Sequence, residues 1–323
     1  MKIKRVNKIN YLIISSTFDY STDLICYELE KRKKKYLRLN RDCFTEYNIS
    51  YNLEEDSLFV QVSRDVYKIE NENLFSVFFR APVFLRSMSK LYSLEEQLQR
   101  SQWSSFIRNL TVFNKAKWIN HPFSIYGAEN KLYQLSVAKS CGLNIPVTHV
   151  GNYAPESIQL NDIYAVKSID TALFYDDGQE LFTYTSMMTG KELFDAELKD
   201  APLIIQEYLQ NKLDIRVTIV GNLLFPVSIT SDNQPIVGDW RKLDKDILRY
   251  NPIELPSEIQ SKIMDMMNLL KLSFGGMDLA LVGDEYYFIE VNPTGEWGWL
   301  VNTTGLSIDK SIVDLMISGG RDE

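Results

Sequence analysis

A short apolar run from Ile9 to Ser15 is followed by polar Ser16-Thr17-Phe18-Asp19. A stretch from Thr22 to Lys31 then carries Leu24, Tyr27 and Leu29 as its apolar positions. This predicts a strand, a loop and a helix, the opening unit of an α/β layer. Tyr36 to Leu39 predicts a second strand, and Ser57 to Val62 with Val66 to Ile69 predicts a hairpin around Ser63-Arg64-Asp65. Leu74 to Phe79 reads as another strand, closed by Arg80-Ala81-Pro82. From Ser93 to Leu110 the residues Leu94, Leu98, Trp103, Phe106 and Leu110 fall close to helical spacing. The first part is therefore expected to be a small α/β domain. It holds no G-x-G-x-x-G, so a dinucleotide site has no support.

A break falls at Asn120-His121-Pro122, after which Ala128 to Cys141 predicts a helix stopped by Gly142. Beyond it the pattern is mostly strands: Pro146 to Val150, Tyr164 to Ile169, Glu180 to Ser186, Leu203 to Tyr208, Leu213 to Val220 and Leu223 to Thr230. A helix is expected from Ser257 to Leu272, between Pro256 and Gly275-Gly276, then strands Met277 to Val282 and Tyr286 to Val291. The order suggests an α+β body behind an α/β front.

Composition narrows the function classes. The 323 residues suggest two domains, and 45% hydrophobic with 24% charged residues is ordinary for a globular chain. No apolar run approaches the roughly 18 residues of a membrane span, and Tyr11 to Ile14 is too short for a signal-peptide core, so the chain reads as cytoplasmic with no membrane partner. A net charge of −8 argues against a dedicated nucleic-acid binder. The first fifty residues nevertheless carry eleven Lys/Arg against six Asp/Glu, clustered at Lys2, Lys4, Arg5 and Lys8 and at Lys31 to Lys35. Such runs are solvated faces or helix ends, or docking surfaces for an acidic partner. Cys26, Cys43 and Cys141 form neither a disulfide framework nor a zinc pattern, and two histidines, His121 and His149, leave no room for a histidine-based centre. Chemistry must rest on carboxylates, lysines and arginines.

The most informative stretch runs from Gly275 to Pro293. If Gly283-Asp284-Glu285 is a three-residue hairpin loop, Val282 pairs with Tyr286, Ala280 with Phe288, and Asp278 with Glu290. Asn292 then lies on the face of Glu290. Opposed carboxylates repel unless a cation lies between them, and Mg²⁺ is held by one or two carboxylates plus nucleotide phosphates. Asp278, Glu290 and Asn292 are thus candidate metal ligands, against the plainer reading of a hairpin whose acids face solvent. Ala280 and Phe288 on the same face would bury it and favour a partner for the acids. Upstream, Lys167 shares a strand face with Ala165 and Ile163, suited either to an anion or to guarding a strand edge. Lys131 opens a helix, where backbone N–H groups favour anions, or is a plain surface lysine. Leu203 to Leu209 is an apolar strand running into a polar link. On the following strand, Asp214 and Arg216 share a face, either as a surface pair or as contacts to ribose and phosphate.

Lys131, Lys167, Gln206-Glu207-Tyr208-Leu209, Asp214-Ile215-Arg216, Asp278 and Glu290-Val291-Asn292, in that order, resemble the ATP-grasp ligases. Arg80-Ala81-Pro82, Asn120-His121-Pro122, Ala128-Glu129-Asn130-Lys131, Gly238-Asp239-Trp240-Arg241 and Asn292-Pro293-Thr294-Gly295-Glu296-Trp297 resemble the microviridin and plesiocin type, the graspetide ligases, over nearly the whole chain. That family more often has a second Arg where this sequence has Ala81.

The resemblance implies an N-terminal α/β domain over 1–125 and an ATP-grasp α+β domain over 126–323. The latter would have a central subdomain (126–200) and a C-terminal one (201–323), two subdomains enclosing ATP. It implies adenine against the link at Gln206, Glu207, Tyr208 and Leu209, Asp214 at the ribose, phosphates near Lys131, Lys167 and Arg216, and Mg²⁺ on Asp278, Glu290 and Asn292. Arg80 and Trp240 are expected at the substrate. Arg241 is expected to hold its carboxylate or the developing acyl-phosphate charge, or, more plainly, to stack on Trp240 at the surface.

The implied partner is a ribosomally made precursor peptide, leader plus core. An Asp or Glu side chain of it becomes an acyl phosphate and is captured by Ser, Thr or Lys of the same peptide. Phosphoryl transfer of this kind needs positioning and charge neutralisation rather than a His or Cys nucleophile. A hairpin from Tyr175 through Thr183 and a helix to Leu198 with Leu193 and Phe194 are expected to hold the leader, or simply to pack on their own core. Two other readings stand beside this one: a carboxylate-amine ligase of the glutathione synthetase or ribosomal-protein glutamate ligase type, and a non-catalytic nucleotide-binding regulator. Ester against amide, ring number and order, and oligomeric state, a homodimer included, are left open by the sequence.

Overall fold

The computed structural model describes residues 6–80, 92–169, 173–176, 179–182 and 185–319. The features read at Lys2, Lys4, Arg5, Ala81-Pro82, Asp177-Gly178 and Thr183 lie outside the described residues. The chain opens with β1 (Val6–Lys8), β2 (Tyr11–Ser15), α1 (Tyr20–Lys31), β3 (Tyr36–Asn40) and β4 (Tyr47–Asn52). The hairpin β5 (Ser57–Val62) and β6 (Asp65–Glu70) forms where the sequence places it, followed by β7 (Ser76–Phe79), α2 (Leu94–Asn109) and β8 (Lys117–Ile119). Strands β3-β2-β7-β8 make a parallel sheet, and β1-β6-β5-β4 a second sheet sharing its core. Every residue of β2 is buried, as a strand covered on both faces requires.

Helix α1 buries Thr22, Ile25, Glu28 and Leu29 rather than Leu24 and Tyr27, and Tyr27 is exposed. Its polar residues go inside because each has a partner. The Thr22 hydroxyl donates to Asp19 at 2.7 Å, and Arg32 donates to Glu28 at 2.7 Å. The basic run of residues 31–35 begins in the last turn of α1, where it complements the helix dipole. Leu94 and Leu98 on α2 are exposed, and a Ser93/Glu96 capping box rather than a long apolar stripe marks its start.

The helix expected over 128–141 forms over residues 131–140, and a further helix precedes it. Pro122, read as a break, occupies the first turn of α3 (Pro122–Ala128), and α4 (Lys131–Ser140) begins after Asn130 takes an extended conformation. Next come β9 (Thr148–Gly151), β10 (Ile163–Lys167), β11 (Leu173–Asp176), β12 (Gln179–Phe182), β13 (Ser186–Thr189), α5 (Gly190–Asp195) and β14 (Leu203–Glu207). The strand expected over 180–186 is thus two strands in different sheets: β11 and β12 pair as a hairpin, while β13-β10-β14-β9 is an antiparallel sheet. Helix α5 is short, and Leu193 and Leu198 pack on that sheet's own core. Phe194 is exposed.

The last part contains β15 (Leu213–Val220), β16 (Leu223–Ser231), β17 (Leu248–Pro252), α6 (Ser257–Leu269), β18 (Phe274–Val282), β19 (Glu285–Asn292), α7 (Gly298–Thr304) and α8 (Ile308–Ile317). The antiparallel sheet β17-β16-β15-β18-β19 packs Ile215, Val217, Met277 and Leu279 against Ile263, Met266 and Met267 of α6. Helices α7 and α8 are absent from the sequence reading. Ile312, Val313 and Met316 of α8 join Ile13, Ile25, Leu29 and Phe78 of the front layer in one cluster, so the first and last thirds share a core. No helix among the described residues is long and apolar enough to cross a membrane.

Two buried amides fix the β18/β19 hairpin. Asn120 donates to the carbonyls of Phe274 (2.7 Å) and Pro293 (3.0 Å) and accepts from the amides of Ser273 (2.7 Å) and Phe274 (3.0 Å). Gln134 of α4 donates to the Val291 carbonyl at 2.8 Å and accepts from its amide at 2.9 Å, continuing the ladder on the outer edge of β19. Replacing Asn120 with Ala leaves several buried backbone groups unpaired, at about 1–3 kcal/mol for each. The Asn120→Ala variant is expected to unfold at clearly lower urea concentration than the wild type, monitored by circular dichroism, whereas an unshifted midpoint would mean the clamp carries no stability.

Candidate active site

Strands β18 and β19 turn at Gly283-Asp284, with Val282 opposite Glu285, a loop one residue shorter than expected. Gly283 takes φ +58°, in the region that favours glycine. From there Leu279 faces Phe288, until an irregularity between Asp278 and Leu279 shifts the register and brings Asp278 opposite Glu290. The bulge leaves Ile289 without a partner and re-aims Glu290. The carboxylates therefore do oppose each other, but Phe288 lies with Leu279 in the core behind the hairpin and not on the acid face.

On the other side of β18, Arg216 stands opposite Asp278, and its Nη1 donates to Asp278 Oδ1 at 2.9 Å. Both are buried. The guanidinium lies over Gly276 and Gly295, where an added Cβ would come within 2.1 and 2.4 Å of Nη2. These glycines make room for the arginine, a signal present in Gly275-Gly276 and Asn-Pro-Thr-Gly but legible only with the pairing known. Of the two readings for Asp214 and Arg216, the mutual surface pair is excluded. Arg216 pairs with Asp278, and Asp214 accepts from Lys212, a residue the sequence reading passed over.

Arg241 comes from a 3-10 turn, Trp240–Lys242, capped by Asp239. Its Nη2 donates to Asp278 Oδ2 and to Glu290 Oε1 (2.7 Å), and Nη1 lies 3.8 Å from Asp239. The guanidinium also sits 5.5 Å from the Trp240 ring centroid, and Trp240 packs on Trp299 with centroids 6.0 Å apart. Stacking on Trp240 is thus part of its setting, but the acids are its main partners. Burial disfavours the charge of Arg241, but Asp278, Glu290 and Asp239 outweigh it and raise its pKa. Burial likewise pushes Asp278 toward the neutral acid, and Arg216 and Arg241 reverse this to hold it below the usual carboxylate range.

These residues line a cleft of ≈ 490 Å³, a size suited to a small ligand. Lys131, Lys167, the link Gln206-Glu207-Tyr208-Leu209, Asp214, Trp240 and Asn292 line it too. Burial pushes the Lys167 pKa down, with Glu290 opposing and Lys131 adding to it. Lys131 donates to the Ser168 carbonyl at 3.3 Å, which ties the start of α4 to the end of β10. Gln206 is buried and donates to Thr148 Oγ1 at 2.9 Å. Asn292 Oδ1 accepts from the Thr294 amide at 3.0 Å. Arg80, expected at the substrate, does not line the cleft. It is buried and holds Asp19 (3.0 Å), the Thr294 carbonyl (2.8 Å) and the carboxylate of Glu296, which does line the cleft. No group of three or more His, Cys, Asp or Glu side chains suited to a metal occurs among the described residues. Two carboxylates beside an amide oxygen fit a hard cation whose remaining ligands come from phosphate and water, and the Arg241 guanidinium between the two acids stands in for such a charge.

A family model described as the RimK-like ATP-grasp domain matches residues 128–316. The chain belongs to the RimK-like ATP-grasp family. Among solved structures, a RiPP-associated ATP-grasp ligase from Chryseobacterium gregarium, in complex with ADP and a leader and core peptide, is similar with a TM-score of 0.83 at 24% identity over 98% of each chain. The macrocyclase MdnC from Microcystis aeruginosa MRC, bound with precursor peptide MdnA, gives 0.80 at 24% identity, covering 95% of this chain and 99% of the other. The ATP-grasp ligase PsnB, complexed with a phosphomimetic variant of its minimal precursor, Mg and ADP, gives 0.75 at 17% identity over 98% and 100% of the two chains. No curated protein sequence matches the chain. The overall fold is thus shared with these structures over at least 95% of this chain, front layer included.

Two consequences of this ATP-grasp cleft can be measured. In Gly276→Ala the new Cβ collides with the buried Arg216 guanidinium, which must give up its bond to Asp278 to make room, and overpacking of this kind costs about 1–3 kcal/mol. Calorimetry should show a lower melting temperature, and an unchanged one would refute the role given to the glycine. Burial raises the Asp214 carboxyl to about 6 from 3.8, against the pull of Lys212. A carboxyl with a raised folded pKa binds its proton more tightly when folded, so its contribution favours folding below about pH 4 and is lost as pH rises through about 6. The urea midpoint of Asp214→Asn should therefore gain on the wild type between those values and run parallel above them, and parallel curves throughout would exclude the shift.

Proposed function

We propose that the chain is an ATP- and Mg²⁺-dependent ligase that cross-links a ribosomally made precursor peptide through its Asp or Glu side chains. The reading is carried by likeness over the whole chain, N-terminal layer included, to ligases solved with precursor peptides. The cleft has the chemistry for it. Lys131, Lys167 and Arg216 would hold nucleotide phosphates, the 206–209 link the adenine, and Asp214 the ribose. Asp278, Glu290 and Asn292 would hold Mg²⁺, which supplies charge neutralisation for phosphoryl transfer.

Arg241 is the cation placed to meet the acceptor carboxylate, since it is the arginine of the pair with a half-exposed side chain. With the carboxylate oriented there, its oxygen takes the γ-phosphoryl group. A Ser or Thr hydroxyl, or a Lys amine, of the same peptide then forms the ester or amide and releases phosphate. Trp240 and Trp299 wall this side of the cleft and would pack against the peptide core. The leader would lie near the β11/β12 hairpin and the exposed Phe194 of α5. Cytoplasmic residence accords with this substrate class.

The family description, RimK-like, favours one second reading, a ligase that adds a free amino acid to a carboxylate. Likeness to a RimK domain protein from Sphaerobacter thermophilus is lower, with a TM-score of 0.55 at 10% identity. Mass spectrometry separates the two. Incubated with ATP, Mg²⁺ and a candidate precursor peptide, the protein should remove one water per linkage, and Glu290→Gln should abolish the loss while remaining folded. A gain of an intact amino acid residue would establish the second reading instead.

A further inference from the structure

Arg216 and Arg241 both contact Asp278, but they are held in different ways. Arg216 rises from the middle of β15, is buried, and lies over Gly276 and Gly295, where glycines leave it space. Arg241 rises from a short turn in the connection between β16 and β17, and its side chain is 40% exposed. A single nitrogen, Nη2, spans the two acids, donating to Asp278 Oδ2 and Glu290 Oε1. A Mg²⁺ ion takes carboxylate oxygens at about 2.0–2.1 Å, so a cation shared by these two oxygens and the Nη2 nitrogen would claim the same space with the same sign of charge. Arg241 also has somewhere to retreat. Asp239 lies 3.8 Å from Nη1, and the Trp240 face lies beside the guanidinium.

We propose that Arg241 is a displaceable internal counter-ion of Asp278 and Glu290: it leaves the acids when a divalent metal-nucleotide enters, and only then can receive an acceptor carboxylate. The second clause rests on the ligase reading above, while the first stands on the geometry alone. Binding is thereby ordered. Before loading, the guanidinium is committed to the protein's own acids, and an acidic side chain reaching the cleft meets no uncommitted arginine among the described residues that line it. After loading, the released guanidinium presents its planar fork to a carboxylate. The protein would then avoid holding its acidic substrate before the phosphoryl donor is in place.

The full chain tests this without any peptide. Phenylglyoxal, an arginine-selective reagent, is applied with ADP alone and with ADP plus Mg²⁺, and labelling is read by mass spectrometry of the digested protein. Addition of Mg²⁺ should raise the labelling rate of Arg241 several-fold and leave Arg216 unlabelled. In calorimetric titrations the factor by which Mg²⁺ strengthens ADP binding should be about tenfold larger in Arg241→Gln than in the wild type, within the usual range of coupling between sites. Equal labelling of Arg241 with and without Mg²⁺ overturns the proposal, as does an unchanged Mg²⁺ factor in the variant. The labelling arm uses the wild-type protein, so it decides the matter even if the variant folds poorly. A protein that passes both arms yet dehydrates no precursor peptide keeps its counter-ion exchange and loses the peptide-ligase reading.

Discussion

Arg216 and Asp278 form a buried ion pair across two neighbouring strands, and most of the cleft is arranged around it. Removing one partner of such a pair leaves an uncompensated charge and costs about 3–5 kcal/mol, so the surroundings must preserve both. Gly276 and Gly295 leave the guanidinium its space, and a register shift in β19 sets Glu290 beside Asp278. Asn120 and Gln134 hold the ends of that hairpin by hydrogen bonds to its backbone, from elements far away in sequence. A second arginine, Arg241, balances the second acid. The pair is thus less a source of stability than a fixed point that obliges the adjoining backbone to keep one geometry.

The front layer contributes to the same geometry. Arg80 at the end of β7 holds the Thr294 carbonyl and Glu296, and Ser21 on α1 donates to Glu296 at 2.7 Å and accepts from the Gly298 amide at 3.0 Å. The segment that leaves β19 is therefore gripped from the N-terminal side while Trp297 is fully buried behind it. The front layer supports the acids even where it does not touch the cleft.

Within the cleft the cations differ in exposure and in the elements that carry them. Lys131 opens α4 and Lys167 closes β10, and Arg216 lies buried over Gly276 and Gly295. Arg241 alone among the two arginines is carried on a short turn and half exposed.

Much of this could be read from residue order. Alternation placed Lys167 with Ala165, and Asp214 with Arg216, on faces that do line the cleft, because period-two alternation is local. The opposition of Asp278 and Glu290 was reached through a loop one residue too long and no bulge, two shifts that cancel at the acids but not at Phe288, which the structure puts in the core. Helices α7 and α8 escaped because their apolar faces serve a core shared with the front layer. Arg80 could be recognised as important but not located, since Thr294 and Glu296, the partners that tie it to the cleft, lie more than two hundred residues away. The sequence by itself determined the local elements and the set of charged groups, which depend on neighbours in the chain. Only the tertiary structure decided which charges meet, which arginine is buried and which is half exposed, because burial and pairing are set by residues distant in sequence and adjacent in space.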